Sequence, residues 1–232
     1  MSDNAIITAF AGDERKRKFF SVVNSTYKVG VAPATDVSTY SATSAFISIV
    51  NAQARSTNQN QNVIVVPDYV KISCVSAPGA GDGVKIVWMT DSVTRYASGG
   101  SSLTTLAANT FVDTYSSFDR VTASAQIHVG ALTLDAASSA FALADCRFRP
   151  TFGALAGLVG DEYTTKFDGG NSNTVDGAVT LSPVQNQQSA EPPYLGPGTG
   201  LFGHLIVDAC TVAGAEYKVE VGWQELHHDL NA

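Results

Sequence analysis

From about residue 42 onward the chain alternates with a period of two. Ala45, Ile47 and Ile49 interleave with Phe46, Ser48 and Val50. A polar stretch over 56–62 follows, and then the run from Val63 to Val75, in which Val70, Ile72 and Cys74 point one way and Lys71 and Ser73 the other. Side chains of a strand face opposite sides in turn, so this pattern predicts strands with one buried face. Pro67 has no amide hydrogen to give to a ladder and predicts an edge, a bulge or a break between two strands. Ala77-Pro78-Gly79-Ala80-Gly81-Asp82-Gly83 predicts a turn, and Val84, Ile86 and Trp88 the inward row of the next strand. Ser98-Gly99-Gly100-Ser101-Ser102 predicts another turn. Strands are expected over 109–115, 122–134 and 140–149, the last closed by Pro150. In the middle one Ala125, Ile127, Val129 and Ala131 alternate with Gln126, His128 and Gly130. The chain closes with an expected hairpin: a strand from Leu205 to Val212, a turn at Ala213-Gly214, and a strand from Glu216 to Leu226. Tyr217, Val219, Val221 and Trp223 share one face of that last strand, and Lys218, Glu220 and Gln224 the other.

About eight strands separated by turn signals, with no long amphipathic helix, predict an all-β fold. The expected architecture is an antiparallel two-sheet sandwich of jelly-roll type. Residues 1–40 are only weakly periodic and read as an extended N-terminal arm with one short helix or strand; residues 41–232 read as the sandwich domain. Within the arm, Asp13-Glu14 precede a basic run, Arg15-Lys16-Arg17-Lys18, and then Phe19-Phe20. These six residues, Arg15, Lys16, Arg17, Lys18, Phe19 and Phe20, are the candidates for contact with a neighbouring subunit. Segments 152–160, 168–177 and 185–200 read as irregular connections, and loops of such length tend to be functional or to cross between sheets.

Composition sharpens the picture. Of the 232 residues only 15% are charged, against roughly 25% in an average soluble domain. Six Glu and seven Lys stand beside 22 Ser and 21 Thr, which argues against a helical bundle, since surface-helix formers are scarce. The net charge of −7 argues against direct nucleic-acid binding by the body of the protein. Cys74, Cys146 and Cys210 are too widely spaced for a zinc pair and sit in apolar runs, which predicts buried free thiols. Met1-Ser2-Asp3-Asn4 does not read as a signal peptide, and no apolar run is long enough to predict a membrane span. The sequon at Asn24-Ser25-Thr26 reads as a chance match.

Candidate chemistry is sparse. No nucleophile elbow, phosphate loop, zincin motif or dinucleotide fingerprint occurs. His227-His228 would face opposite sides of a strand and make a poor chelate. His128 lies on a polar strand row without a local catalytic motif. The loop Asp168 to Asp176 lacks calcium-loop spacing, and Val179 stands where the bidentate Glu would fall. Trp88, Tyr96, Phe148 and Trp223 fall mostly on inward rows and read as core. No catalytic residue, metal or cofactor is expected.

A set of short motifs in a particular order resembles a family of virion proteins of tailed bacteriophages. They begin with Val66-Pro67-Asp68-Tyr69-Val70-Lys71-Ile72, Pro78-Gly79-Ala80-Gly81 and Arg95-Tyr96-Ala97-Ser98-Gly99-Gly100-Ser101-Ser102-Leu103. Gly130-Ala131-Leu132-Thr133, Ala136-Ala137-Ser138-Ser139-Ala140 and Val159-Gly160-Asp161-Glu162-Tyr163 with Lys166-Phe167 follow. Pro192-Pro193, Gly196-Pro197-Gly198 and Tyr217-Lys218-Val219-Glu220-Val221-Gly222-Trp223 complete the set. The likeness spans roughly residues 60–226 and leaves the N-terminal region outside. It implies a non-enzymatic jelly-roll protein of the phage head, made in the host cytoplasm and placed in the virion. The expected role is capsid decoration, with a shell-forming subunit or a tail or vertex component as the alternative. The expected partners are other copies of the chain, in trimers, and the major capsid protein or other virion proteins, with neither nucleic acid nor membrane. A lectin-like receptor-binding jelly roll is the further alternative.

Overall fold

The computed structural model describes residues 17–24, 29–34, 41–57, 62–76, 84–103, 108–109, 123–136, 141–142, 149–150, 159–160, 162–167, 192–207 and 214–227. In chain order its strands are β1 (Arg17–Val23), β2 (Ser44–Asn51), β3 (Val63–Ser76), β4 (Val84–Asp91), β5 (Tyr96–Ser102) and β6 (Ala108–Asn109). They continue with β7 (Ala125–Leu134), β8 (Phe141–Ala142), β9 (Arg149–Pro150), β10 (Glu162–Lys166), β11 (Gly200–Val207) and β12 (Glu216–His227). All pairings are antiparallel.

One sheet has the order β10-β3-β12-β1-β6, and the other runs β5-β7-β2-β11-β4-β8, with β9 also paired to β4. The chain crosses between sheets at each step from β1 to β4, from β5 to β6 and from β6 to β7, and at each step from β9 to β12. The quartet β1-β12-β3-β10 facing β2-β11-β4 with β8 and β9 is jelly-roll order. The β5–β7 pair is an addition, attached to the free edge of β2.

The alternating rows sit where the periodicity places them except at the β2–β7 slip, where Ala45 leaves the row of Ile47 and Ile49 and Ala131, which is exposed, leaves that of Ile127 and Val129. Val70, Ile72 and Cys74 of β3, Ile86 and Trp88 of β4, Ile127 and Val129 of β7, and Tyr217, Val219, Val221 and Trp223 of β12 are all buried in one core. Aromatic contacts join the sheets across it. Phe46 meets Tyr217 edge-on at 5.8 Å, and Trp88 meets Phe167 edge-on at 5.1 Å. The Trp88 indole donates to Thr165 Oγ1 at 3.3 Å, so its polar edge is satisfied where it is buried. Gly203 faces Trp88 across the β4–β11 pair, and a Cβ there would lie 2.7 Å from the indole ring. Glycine at 203 is what lets that ring lie flat on its neighbour. Pro67 marks a bulge: the β3–β12 register slips between Gly222 and Trp223, so that Trp223 pairs Pro67 while Gly222 pairs Tyr69. A bulge relieves the ladder of the amide that proline lacks.

Three expectations are corrected. The arm expected over 1–40 is not an arm where the structure describes it. Arg17–Val23 is an interior strand, hydrogen-bonded along its length to β12, and Phe20 stacks on Trp223 at 5.3 Å. Phe20 and Val22 lie in the core, so the boundary at residue 40 falls inside the sandwich. The short strand broke the periodicity signal because its apolar inward residues are preceded by a basic run. The terminal hairpin is corrected too: β11 pairs β2 and β4, whereas β12 pairs β1 and β3. The connection at Ala213-Gly214 crosses between sheets, because β12 is held on both sides by strands of its own sheet. The turn expected at 98–102 is part of β5, whose register against β7 slips twice, between Tyr96 and Ser98 and between Gly99 and Ser101. Gly99 and Gly100 take positive φ (89° and 64°) at those slips, which is why they read as a turn.

Of the other strands expected, 109–115 is described only at β6 and 140–149 only at β8 and Arg149; the segments 168–177 and 185–191 lie outside the described residues.

Replacing Phe20 by Ala should destabilise the fold by about 3–5 kcal/mol, the range for an aromatic lost from a core. Urea unfolding monitored by Trp223 fluorescence reads this directly, and an unchanged unfolding free energy would contradict β1 as a core strand.

Candidate functional site

The polar groups inside this sandwich are placed by strand parity and by one short link. β7 bends at Gly130 (φ 111°), where its register with β2 slips between Ala45 and Ile47. Beyond the bend Leu132 and Leu134 pack with Ala45, Val50 and Phe202 in a second, smaller cluster. Val50 follows Ile49 and Phe202 follows Leu201, both of the main core, so this cluster lies on the other side of the sheet.

The link from β4 to β5 shows why the sheet must curl there. Four residues, 92–95, join strands that have β11, β2 and β7 between them. Four strand spacings on a flat sheet are about 19 Å. Five residue steps reach at most about 18 Å. The β7–β5 end therefore folds back over the sheet, and Arg95 becomes fully buried beneath the link. Its Nε and Nη2 donate to the Asp135 carbonyl at 3.0 and 2.8 Å, and Nη2 also donates to the Ala42 carbonyl. Asp91, four residues earlier, lies 3.6 Å from Nε, and the guanidinium stands 5.9 Å above the Phe202 ring. A planar fork of donors suits this task, clamping two carbonyls and stacking on a ring at once.

His204 is in the same region. Its Nδ1 lies 2.7 Å from the Ser44 carbonyl, which can only accept, so Nδ1 carries the proton. Burial, with a smaller contribution from the Arg95 charge, pushes its pKa below the ordinary histidine value, against the opposing pull of the Ser44 and Ser41 carbonyl bonds. His128, on the polar row as expected, is half-buried and stacks on Tyr96 with centroids 3.7 Å apart. Burial lowers its pKa also. Ser48 lies opposite His128 in the β2–β7 ladder. Neither Ser48 Oγ nor His128 Nδ1 has a hydrogen-bond partner among the described residues, so the pair is not the hydrogen-bonded nucleophile and base that catalysis needs.

Glu225 is a further buried charge, beside Arg95 and Asp91, and it shares the inward parity of Trp223. Its Oε1 accepts from the Ser124 and Ala125 amides at 2.7 and 3.0 Å and from the Trp223 indole at 3.2 Å. These bonds fasten β12 of one sheet to the start of β7 in the other. Asn51 does similar work: its Nδ2 donates to the Val63 and Leu195 carbonyls at 2.8 and 2.9 Å. Asn24 accepts from the Val219 amide at 2.6 Å and donates to the Val29 carbonyl at 3.3 Å. Asn24 is therefore part of the fold's interior bonding.

Of the sequence-predicted contact residues, the four that are described lie together in β1. Arg15 and Lys16 lie outside the described residues; Arg17, Lys18 and Phe19 are in β1, paired with Leu226, Glu225 and Gln224. Phe20 is in the core and is corrected as a contact residue, since its ring is already covered by Trp223. Trp88 and Trp223 are core as expected, Tyr96 is half-buried, and Phe148 lies outside the described residues. Cys74 is a buried thiol outside any disulfide, as expected. His227 ends β12; His228 lies outside the described residues. Among the described residues no group of three His, Cys, Asp or Glu side chains is arranged to hold a metal ion. Sequence reasoning passed over Arg95, Asn51 and Glu225. Only Glu225 carried a usable signal, the parity it shares with Trp223.

What the sandwich offers to the outside is its edges. β10 is short and carries exposed Glu162 and Lys166, with Glu162 held 2.7 Å from Lys71. β6, β8 and β9 have two residues each. β5 differs: seven residues, none charged, and exposed from Ala97 to Ser102. Comparison with protein-family models, with curated proteins and with solved structures finds no match.

Two outcomes are expected. Arg95→Met should cost about 3–5 kcal/mol, because it leaves a buried carboxylate and two carbonyls without their clamp; equal denaturation midpoints for variant and parent would contradict the clamp. For His204 the native pKa is the lower one, so the unfolded chain binds the extra proton. Stability is then full above about pH 6.5 and falls as pH drops below it toward the depressed native value. Thermal melts from pH 7.5 down to pH 5 should show this slope, and His204→Asn, which retains a donor toward Ser44, should reduce it to the part that His128 contributes.

Proposed function

We propose that this chain is a structural protein of a virus particle, a decoration subunit of a tailed-phage head that self-associates and staples neighbouring capsomers. What carries the reading is the jelly-roll order combined with an exposed, charge-free edge strand. Monomeric β-proteins guard such edges with charge, proline or brevity, and a subunit that meets copies of itself on a lattice has no such need. The low charge of the whole chain agrees with surfaces that neighbours cover. The ordered motifs of the phage virion family supply the choice of particle. Within the same class the chain would serve as a shell-forming subunit or a tail or vertex component. The work is mechanical: many weak contacts, held together by the lattice, sum to a firm attachment. No catalytic residue, metal or cofactor belongs to this reading, and its site of action is the virion.

Purified protein should bind phage heads saturably, measured by co-sedimentation, or run larger than one chain in light scattering. A strictly monomeric protein that binds no capsid would sink the proposal.

One observation favours a second reading, a lectin-like receptor-binding module. Tyr194 is 57% exposed beside Pro193 in the segment before β11, and an exposed aromatic ring is what sugar recognition uses. A glycan array with saturable hits that are lost in Tyr194→Ala would select that reading; a blank array leaves the structural one.

A further inference from the structure

We infer that the curled end of the β2–β7–β5 sheet is an acid-opened flap: a proton on His204 of β11 sets a second positive charge beside Arg95, and the flap that carries Arg95 lifts off Phe202 while the main core stays closed. The device is independent of which particle, if any, the chain joins.

A line of irregularities marks the hinge. The β2–β7 register slips between Ala45 and Ile47, and the β5–β7 register between Gly99 and Ser101. Gly100 and Gly130 both take positive φ (64° and 111°). A Cβ on Gly130 would lie 3.4 Å from Gly100 Cα, so the two bends are neighbours. On the near side of this line Ile47, Ile127 and Val129 belong to the main core, and the Leu103 amide is bonded to the Ile127 carbonyl at 2.8 Å. On the far side, residues 41–45, 92–99 and 131–135 are tied to one another. Arg95 donates to the Ala42 and Asp135 carbonyls, the Leu134 amide to the Thr43 carbonyl at 2.9 Å, and the Asp135 amide to the Arg95 carbonyl at 2.7 Å. These ends can move as one unit about glycines, which absorb a change of dihedral angle at low cost.

The flap meets the rest of the sheet through few contacts. The β2–β11 ladder runs only from Val50 and Gly200 to Ile47 and Gly203, so Ser44 and Ala45 lie beyond it. There the 2.7 Å bond from His204 Nδ1 to the Ser44 carbonyl takes over. Arg95 stands 5.9 Å above Phe202, and Ala45, Leu132 and Leu134 pack with Val50 and Phe202. His204 shares the outer row of β11 with Phe202, while Leu201 and Leu205 face the main core. The flap's guanidinium therefore sits over the row that holds His204. Neutral, His204 fastens the flap; charged, it faces a cation that never loses its proton. The bond to Ser44 favours the charged ring, but burial and the Arg95 charge outweigh it.

The other charges around the joint do not neutralise a proton on His204. Asp91 stands opposite Gly200 in the β4–β11 ladder, four residues or about 13 Å along the strand from His204, and lies 3.6 Å from Arg95. Asp135 is exposed. Lys85, opposite Ile206 on β4, is a further cation. From β2 the ring meets only Ser41 and Ser44. His128, on the near side of β7, stacks on Tyr96, whose ring face suits an imidazolium.

The experiment is hydroxyl-radical footprinting of the full chain at pH 7.5 and pH 5, read by mass spectrometry. Phe202, Leu132 and Leu134 should gain oxidation at pH 5, and Trp88 and Trp223 should stay protected. His204→Asn, which retains a donor toward Ser44 and takes up no proton, should lose the gain, and His128→Asn should keep it. No gain in the parent, an equal gain at Trp88 and Trp223, a gain that persists in His204→Asn, or one lost in His128→Asn overturns the flap. A gain that sets in only near pH 4, about where a carboxylate titrates, assigns the opening to Asp91 and overturns it as well. Should His204→Asn fail to fold, an NMR titration of the parent decides. His204 ring resonances that titrate over the same pH range as the oxidation gain support the flap; a gain that appears while His204 is still neutral overturns it.

Discussion

The inward row of β12 is the constraint on which the rest of the sandwich depends. Tyr217, Val219, Val221 and Trp223 are buried between the sheets, and the strand that carries them is bonded to β3 along one side and to β1 along the other. Because both of its edges are taken, β12 cannot turn back onto β11, and the chain must cross the core to reach it. That crossing, repeated at the other connections, is what makes the fold a jelly roll instead of a meander. Trp223 also sets the place of β1, since Phe20 stacks on it at 5.3 Å. Burying an aromatic pair of this kind gives several kcal/mol of driving force to a strand of only seven residues.

Around that apolar centre the buried polar groups act as fasteners. Glu225 ties β12 to β7, Asn51 ties β2 to the starts of β3 and of the segment at Leu195, and Arg95 ties the β4–β5 link to the curled end of β7. Each bonds mainly to backbone amides or carbonyls. A buried charge is tolerable when its hydrogen bonds are made, and the backbone groups it meets lie at bends and strand ends, where the ladder leaves them unpaired. These side chains have the burial and the polar character of an active site, yet most of their hydrogen-bond partners are main-chain groups. Their geometry is that of a scaffold held in one shape.

The functional reading therefore moves to the outside of the molecule. Sheet edges differ in how they are guarded: β10 by charge, the two-residue strands by brevity, and β5 only by its two slips in register. A composition poor in charge acquires a location in this way. Ser and Gly stand on the exposed edge at β5, where a lysine would keep other chains away. The same substitution of small polar residues for charges also lowers the cost of covering a surface, because fewer charged groups must be stripped of water.

The rows of buried side chains were legible in the sequence because alternation is a local property. Whether residue i faces inward is settled by its neighbours at i−2 and i+2, so Val70, Ile72, Cys74, Ile127, Val129 and the β12 row could be placed without knowing any partner strand. The bulge at Pro67 was legible for the same reason, since a missing amide is a property of that residue alone. Strand partnership was not legible. It depends on which edges remain free after all other strands have paired, which is why the apparent terminal hairpin is divided between two sheets and why Arg17–Val23 is an interior strand. Glu225 and Arg95 belong to the same class. A charge on an inward row or in a short link is placed inside only because distant backbone groups, at 124–125 for one and at 42 and 135 for the other, arrive to receive it. Local chemistry determined which faces are buried; the closing of the two sheets decided which strands, and which buried charges, share them.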